Sequence, residues 1–437
     1  MDTFTDAPQK EPASSPTTPV RKRAFLLNRN FALLWGGQTI SQLGSHVTDQ
    51  ALPLAANIVL GATAIQMGLL TALGLLPVLL IGLLAGVWID RLRRRPILII
   101  ADFARAALLL SIPVAALLGL LRIEQLYIVA ALVGVLTVFF DLANQSFLPL
   151  LVGREQIVAA NSKMSASSSL AEVGGPTLAG ILVQIMTAPI AIFLDALSFL
   201  VSALCASLLR VREPRPIVIT ERQHILRDIR AGLDVILGNP VLRAIMLCSG
   251  TRNFCGGAFA ALYSLYVIRG LGLTPLFYGV FVGAGGAGSL LGALLAGRLA
   301  QRVGIGRVLV GAALLDGIVM PLTPLAGGSK VAIVILLTLA QLIGDFAYTI
   351  YEIHTLSLRQ TVVPEHLLGR ANASMRVLVE GMVPVGALLA GFVATAIGMR
   401  MTLLIAACLC CLLSPLWLIF SPVWRQRKTF MAKRTPD

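Results

Sequence analysis

Gly86-Val-Trp-Ile-Asp90-Arg91-Leu-Arg93-Arg94-Arg95 closes one long apolar run and precedes another, residues 96–121. It reads as a short polar loop between two buried helices. Five of its ten residues are charged, and at the centre of a bilayer each charge would cost roughly 2.5–3.5 kcal/mol. The loop therefore sits at a water-facing surface, and its basic excess places that surface on the cytoplasmic side. Gly86 lets two helices approach closely, and Asp90 is placed to receive the positive N-terminal end of a neighbouring helix. A plain positive-inside loop explains the same residues.

The pattern recurs. Ala85-Gly86 and Arg91 return as Ala296-Gly297 and Arg302, at an offset of 211 residues. The same offset carries Asn28 onto Asn239, Thr63 onto Thr274, Gly68 onto Gly279, Asp141 onto Glu352, Asn161 onto Asn372, Met164 onto Met375 and Gly180 onto Gly391. One ungapped offset over most of a half-chain implies two homologous halves. Such a duplication is typical of transporters that bind substrate where the halves meet.

The loop resembles the signature between the second and third helices of the major facilitator superfamily. Around it, Asn30-Phe31-Ala-Leu-Leu-Trp35-Gly-Gly-Gln38-Thr-Ile-Ser41, Leu194-Asp195-Ala-Leu-Ser198-Phe199 and Pro364-(x)4-Gly369-Arg370-Ala-Asn372 are similar to the superfamily's macrolide-efflux and enterobactin-exporter-like branch. The likeness covers roughly residues 28–424 and departs at Arg93, where the family loop usually has Gly. It implies an all-α integral membrane protein, twelve transmembrane helices in two six-helix halves.

Composition agrees. Of 437 residues 57% are hydrophobic and only 13% charged, with a mean hydropathy of +0.85, whereas a soluble protein is about 25% charged. The net charge of +14 comes from basic residues scattered over short loops, so it argues against nucleic acid as a partner. The six cysteines fall in apolar segments without metal-ligand spacing, and neither a metal nor a cofactor is expected. With no nucleophile–base pair in sight, an enzyme is not expected either.

In chain order we expect a disordered cytoplasmic tail over 1–27 that is no signal peptide, a six-helix half over 28–210, a cytoplasmic linker over 211–238, a second half over 239–424 and a basic cytoplasmic tail over 425–437. Spans of about 20 apolar residues fall near 30–56, 64–89, 96–119, 125–150, 157–184, 188–210, 240–268, 275–300, 306–327, 330–357, 371–398 and 400–424. With both termini inside, the outer loops hold only Arg122, Arg269, Lys330 and Arg400 among the basic residues, which satisfies the positive-inside rule. Within the linker, residues 225–237 suit a short amphipathic helix on the inner leaflet, or a plain tether. Gly283-Ala-Gly285-Gly286-Ala-Gly288 matches a dinucleotide fingerprint but lies inside the eighth span, where close helix packing accounts for it better.

Nine acidic residues fall within predicted spans: Asp49, Asp102, Asp141, Glu172, Asp195, Asp316, Asp345, Glu352 and Glu380. In hydrocarbon each must face water, carry a proton or meet a cation, and the buried cations on offer are Arg105 and Arg252. In the superfamily, spans one, four, seven and ten line the cavity, which ranks Asp49, Arg252 and Asp345 as candidates for proton coupling or substrate binding. Asp141 and Glu352, related by the repeat, are gate candidates with Gly86, Asp90, Arg91, Arg94 and Arg105, or else cavity groups. Glu172 is a further proton-coupling candidate, or a satisfied packing pair. It precedes Gly174-Gly175-Pro176-(x)3-Gly180, which resembles the antiporter motif of the drug exporters, where the family usually has an apolar residue near 172. Asp195 is expected to be structural, for instance capping a helix, while His46 and His354 rank low as proton relays. The fourth span lacks the Arg that other drug-exporter branches carry there.

The expected function is secondary active transport by alternating access: proton-coupled efflux of an amphiphilic small molecule, macrolide-like or a siderophore, by a monomer in the lipid bilayer of a bacterial inner membrane. Uptake of an anionic solute on Arg252 is the rival within transport, and a non-transporting membrane sensor is the rival outside it.

Overall fold

The computed structural model describes residues 29–89, 92–152, 156–211, 213, 225–364 and 367–425; the side chains of 78, 82–89, 225–231 and 425 are not described. The N-terminal half comprises α1 (Arg29–Leu54), α2 (Ala64–Ile89), α3 (Arg94–Leu117), α4 (Ile123–Val152), α5 (Ile157–Ile185) and α6 (Ala188–Ser207). A linker helix, α7 (Ile225–Gly238), leads to the C-terminal half. There follow α8 (Pro240–Leu265), α9 (Pro275–Val303), α10 (Ile305–Val319), the single turn α11 (Leu322–Leu325), α12 (Lys330–Val362), α13 (Leu368–Glu380), α14 (Met382–Ile397) and α15 (Met399–Ile419). Among the described residues nine helical units are long and apolar enough to cross a membrane. α1, α5 and α8 match them in length but carry more polar residues.

The fully buried positions are crowded with Ala and Gly, while Leu117, Leu120, Leu170, Leu294 and Leu412 are exposed. This inversion is expected where lipid, not water, surrounds the bundle and backbones must approach closely.

The duplication is visible atom by atom. α1 and α8 each end in one π turn, Ala55–Val59 and Tyr266–Gly270, at the 211-residue offset. In each, the next leucine N–H (Leu60, Leu271) donates back to the first π carbonyl, Ala55 or Tyr266. Gly61 and Gly272 then turn the chain with φ of 66° and 65°, a left-handed conformation that favours glycine. Packing follows the same operator: α1 on α6 and α8 on α15, α2 on α4 and α9 on α12, α5 across onto α9 and α14 across onto α2.

Two of the expected spans are interrupted by a turn yet remain single apolar units, Ile305–Leu325 and Leu368–Ile397. The ninth stops at α10 and resumes as α11 after Pro321, and the eleventh is divided at Gly381 into α13 and α14. The linker helix α7 does more than lie on a membrane surface. Gly232 abuts the carbonyl of Arg370 and the hydroxyl of Ser374 on α13, and Ile236 is fully buried. Asp90 and Arg91 lie outside the described residues. The helix N-terminus at this junction belongs to α3, and Glu213 receives it: the Arg94 and Arg95 N–H groups donate to its two oxygens at 2.7 and 2.8 Å, a carboxylate set on orphan helix donors.

Candidate translocation site

The two halves meet through glycines at the end of the bundle opposite the chain termini. A Cβ on Gly180 would lie 2.6 Å from the Pro275 carbonyl, and one on Gly279 2.5 Å from that of Pro176. The repeat-related contact sets Gly68 against the Ala387 carbonyl and Gly391, whose own Cβ would lie 2.8 Å from the Ala64 carbonyl. Hydrogen bonds between the halves gather at the same end. Asn57 Nδ2 donates to the Ser264 carbonyl at 3.0 Å, Tyr278 Oη to Gln50 Oε1 at 2.8 Å, and the Arg269 guanidinium to the carbonyls of Ala62 and Asn57. Toward the terminal end, Asp141, Gln145, Asn161, Ser165, Glu172 and Glu352 are exposed. The bundle is closed at one end and exposes polar side chains toward the other.

Beneath the closed end lies a cavity of about 640 Å³, within the range of small-molecule sites. Leu52, Pro53, Leu70, Leu109, Val133, Phe259, Val282 and Met320 make its apolar walls, into which Asp49, Asp316, Asp345, Gln50, Gln341, Tyr263 and Tyr278 are set. Asp345 accepts from Gln341 Nε2 at 2.9 Å and abuts Gly285. Its repeat mate is Gly134, where a Cβ would lie 2.8 Å from the Gly74 carbonyl, so the first half closes α2 onto α4 where the second admits a carboxylate. The glycine run 283–288 lets α9 approach α5 at Val173 and Thr177 and α12 at Leu342. No nucleotide-binding strand precedes it.

Arg252, ranked as a cavity cation, is already paired. Its Nε donates to Asp316 Oδ2 at 3.0 Å and its Nη2 lies 2.9 Å from the same oxygen as an ion pair. Its guanidinium lies 4.3 and 4.9 Å from the ring centroids of Tyr351 and Tyr348. The sequence ranked Asp316 below its neighbours because span nine was not expected to line the cavity. Its distance from Arg252, 64 residues away, left no local signal. Arg105 does not reach Asp141 as a gate partner; it pairs with Asp102 one turn earlier on α3 and stacks on Phe140 and Phe199 at 4.3 and 4.2 Å. An i,i+3 partner on the same helix forms without tertiary rearrangement. Asp141 and Glu352 are exposed with no ion pair among the described residues. Arg94 contributes its main chain to the Glu213 contact, and Gly86 is described only as backbone of α2.

Asp49 faces the cavity and approaches His46 Nδ1 at 3.9 Å. Glu172 is exposed near the interface, where its carbonyl borders Gly286. Gly175 packs on His46, Gly174 faces open space and Pro176 is buried within an unbroken α5, so the motif's flat face serves the α5–α9 contact. Asp195 caps nothing; it lies inside α6, 1% exposed, and accepts from Ser198 Oγ at 2.8 Å. His354 is spoken for by the Ile350 carbonyl on its own helix, 2.7 Å away.

Two pseudosymmetric helical halves around a buried, partly charged cavity define a membrane transporter. Residues 15–433 match the family model described as transmembrane secretion effector, and the chain belongs to that family of the major facilitator superfamily. It is 28% identical to the multidrug efflux pump Tap of Mycolicibacterium fortuitum, over 88% of this chain and 92% of that one. It is 23% identical to macrolide efflux protein A of Streptococcus pyogenes, over 85% and 90%. Among solved structures, that of the nucleoside transporter NupG superposes with a TM-score of 0.75 at 12% identity, covering 89% of this chain and 99% of the other.

Proposed function

We propose that this chain exports neutral or cationic amphiphilic molecules, macrolide-like in character, in exchange for protons by alternating access. The observation that carries the reading is the cavity itself: apolar walls set with three carboxylates, of which Asp316 matches the charge of Arg252 and Asp49 and Asp345 are left over. An anionic solute or a catecholate siderophore would meet like charges there and find the cation engaged. The efflux pumps among the relatives support export. With both termini on the cytoplasmic side of a bacterial inner membrane, as the basic loops favour, the closed end faces outward and the state described is inward-facing. One chain supplies both halves of the cavity, so a monomer suffices. Asp345 is the proton carrier of this reading, with Asp49 on the opposite half lining the same cavity.

Everted vesicles holding a respiration-generated pH gradient test it. A macrolide should collapse the gradient in the wild type and fail to do so in Asp345→Asn vesicles, while organic anions leave it unchanged. Gradients untouched by a panel of macrolides, cationic dyes and siderophores would remove proton antiport. Collapse by anions that depends on Arg252 would restore the uptake reading.

A further inference from the structure

A second cavity, of about 380 Å³, opens in the N-terminal half between α1, α4 and α5, and carries no charged side chain in its lining. Its wall is a set of carboxamides and hydroxyls: Gln38, Gln42, Asn144, Gln145, Asn161 and Ser165. Gln38 is only 3% exposed, yet neither its Oε1 nor its Nε2 has a hydrogen-bond partner, and Asn144 Oδ1 is likewise buried and unpartnered. Buried amides left without partners are costly in a folded protein, and this pair lines a space large enough to admit a ligand group. α1 and α4, which bring Gln38, Gln42, Asn144 and Gln145 to this wall, also line the carboxylate cavity with Asp49 and Thr137, so the wall lies along the two helices that border that cavity. It lies toward the terminal end, below the carboxylate cavity.

The repeat shows that the fold does not demand such a wall. At the 211-residue offset, Gln38 becomes Ser249, bonded to Tyr351 Oη at 2.9 Å, and Gln42 becomes Asn253, which donates to the Val379 carbonyl at 3.0 Å. Gln145, Leu148 and Ser165 become Leu356, Arg359 and Arg376. Thr355 and Asn372, the mates of Asn144 and Asn161, keep a buried unpartnered oxygen each. What sets the N-terminal wall apart is that it is neutral, carries four carboxamides in its α1 and α4 lining and leaves Gln38 wholly unpartnered, while its counterpart carries Arg359 and Arg376. Carboxamides match vicinal hydroxyls because each offers two donors and an acceptor without a charge to desolvate. We infer that this wall is a recognition site for a neutral, hydroxyl-rich group, such as a glycosyl substituent on the exported molecule. It rests on the exporter reading only in taking this wall to border the translocation path.

Binding of two fluorescent probes to the full-length protein in lipid nanodiscs decides it. They share one alkyl chain and one dye and differ in head group, maltosyl or trimethylammonium. The maltosyl probe should bind wild type and lose about three- to tenfold in affinity in Asn144→Ala, Gln145→Ala and Gln38→Leu, as expected for one or two lost neutral hydrogen bonds. The trimethylammonium probe should be unmoved by those changes and weakened by Asp345→Asn. Gln145 is exposed, so its variant tests the site even where Gln38→Leu fails to fold, and melting temperatures report that failure. A maltosyl probe that binds no better than the chain alone, or that is indifferent to Asn144→Ala and Gln145→Ala, overturns the inference. Export assays answer separately: vesicles that never exchange protons, from a protein that keeps the maltosyl preference, would remove the antiport reading and leave this site standing.

Discussion

Each half of the molecule buries one arginine against the same two repeat-related positions, yet the two arginines do different work. Arg105 lies over Phe140 beside Thr137, and Arg252 lies over Tyr351 beside Tyr348; 137 and 348, like 140 and 351, are related by the 211-residue offset. The guanidinium pocket is therefore inherited, but the arginine enters it from α3 in one half and from α8 in the other. In the N-terminal half the counter-ion, Asp102, is on the arginine's own helix and wholly buried. In the C-terminal half the partner is Asp316, at the position where the first half carries Arg105; it joins α8 to α10 and its side chain remains 18% exposed at the cavity wall. The first pair is closed off from the cavity, which Arg105 meets only through Thr137. The second ties two helices together and presents a carboxylate to whatever occupies the cavity, so binding there can change how the helices are tied.

The largest effect should follow from breaking the sealed pair. Asp102→Ala leaves Arg105 buried without a counter-ion and should cost about 3–5 kcal/mol, read as a large fall in melting temperature of the purified protein. A variant as stable as the wild type would show that the pocket is hydrated and that the two halves differ less than proposed. Asp316→Asn should cost less stability, roughly 1.5–3 kcal/mol for a charged hydrogen bond, while abolishing export in vesicles. Normal export by a folded Asp316→Asn protein would make both pairs structural and erase the contrast.

Symmetry supplies a sharper comparison at the closed end. Gly68→Ala and Gly279→Ala each push a methyl into a backbone carbonyl of the opposite half, and each should cost about 1–3 kcal/mol as overpacking. Both should open the closed end, measured as faster labelling of a cysteine introduced at Gln50. A response from one and not its repeat mate would show that the two seals are unequal. The smallest change is Asn57→Ala, which removes one neutral hydrogen bond between the halves, worth about 1 kcal/mol. It should raise the same labelling rate by less than the glycine variants do.

Much of this architecture was legible beforehand because it depends on local chemistry and on the solvent. Runs of apolar residues must be helical where no water can satisfy the backbone. Charges collect in loops because hydrocarbon rejects them, and an ungapped offset survives in sequence because both halves solve the same packing problem. Glycines such as Gly180 and Gly279 were visible as a pattern, though not as partners of each other. The ion pairs were missed for a physical reason: a buried charge names its need for a counter-ion but not which helix will bring it. The i,i+3 spacing of Asp102 and Arg105 is legible in the sequence, but so is a longer-range latch between Arg105 and Asp141, and spacing alone does not choose between them.

The sequence by itself determined that this chain is a duplicated helical membrane protein, and its motifs pointed to the superfamily, because hydropathy, repeats and loop charge are one-dimensional properties. Tertiary structure alone decided which end is closed, that Arg252 is neutralised by Asp316, that Asp345 faces the cavity, and that an uncharged carboxamide wall stands in one half and not the other. Those outcomes turn on which faces of separate helices meet, and helices joined by short loops can rotate through any of several faces without changing a residue.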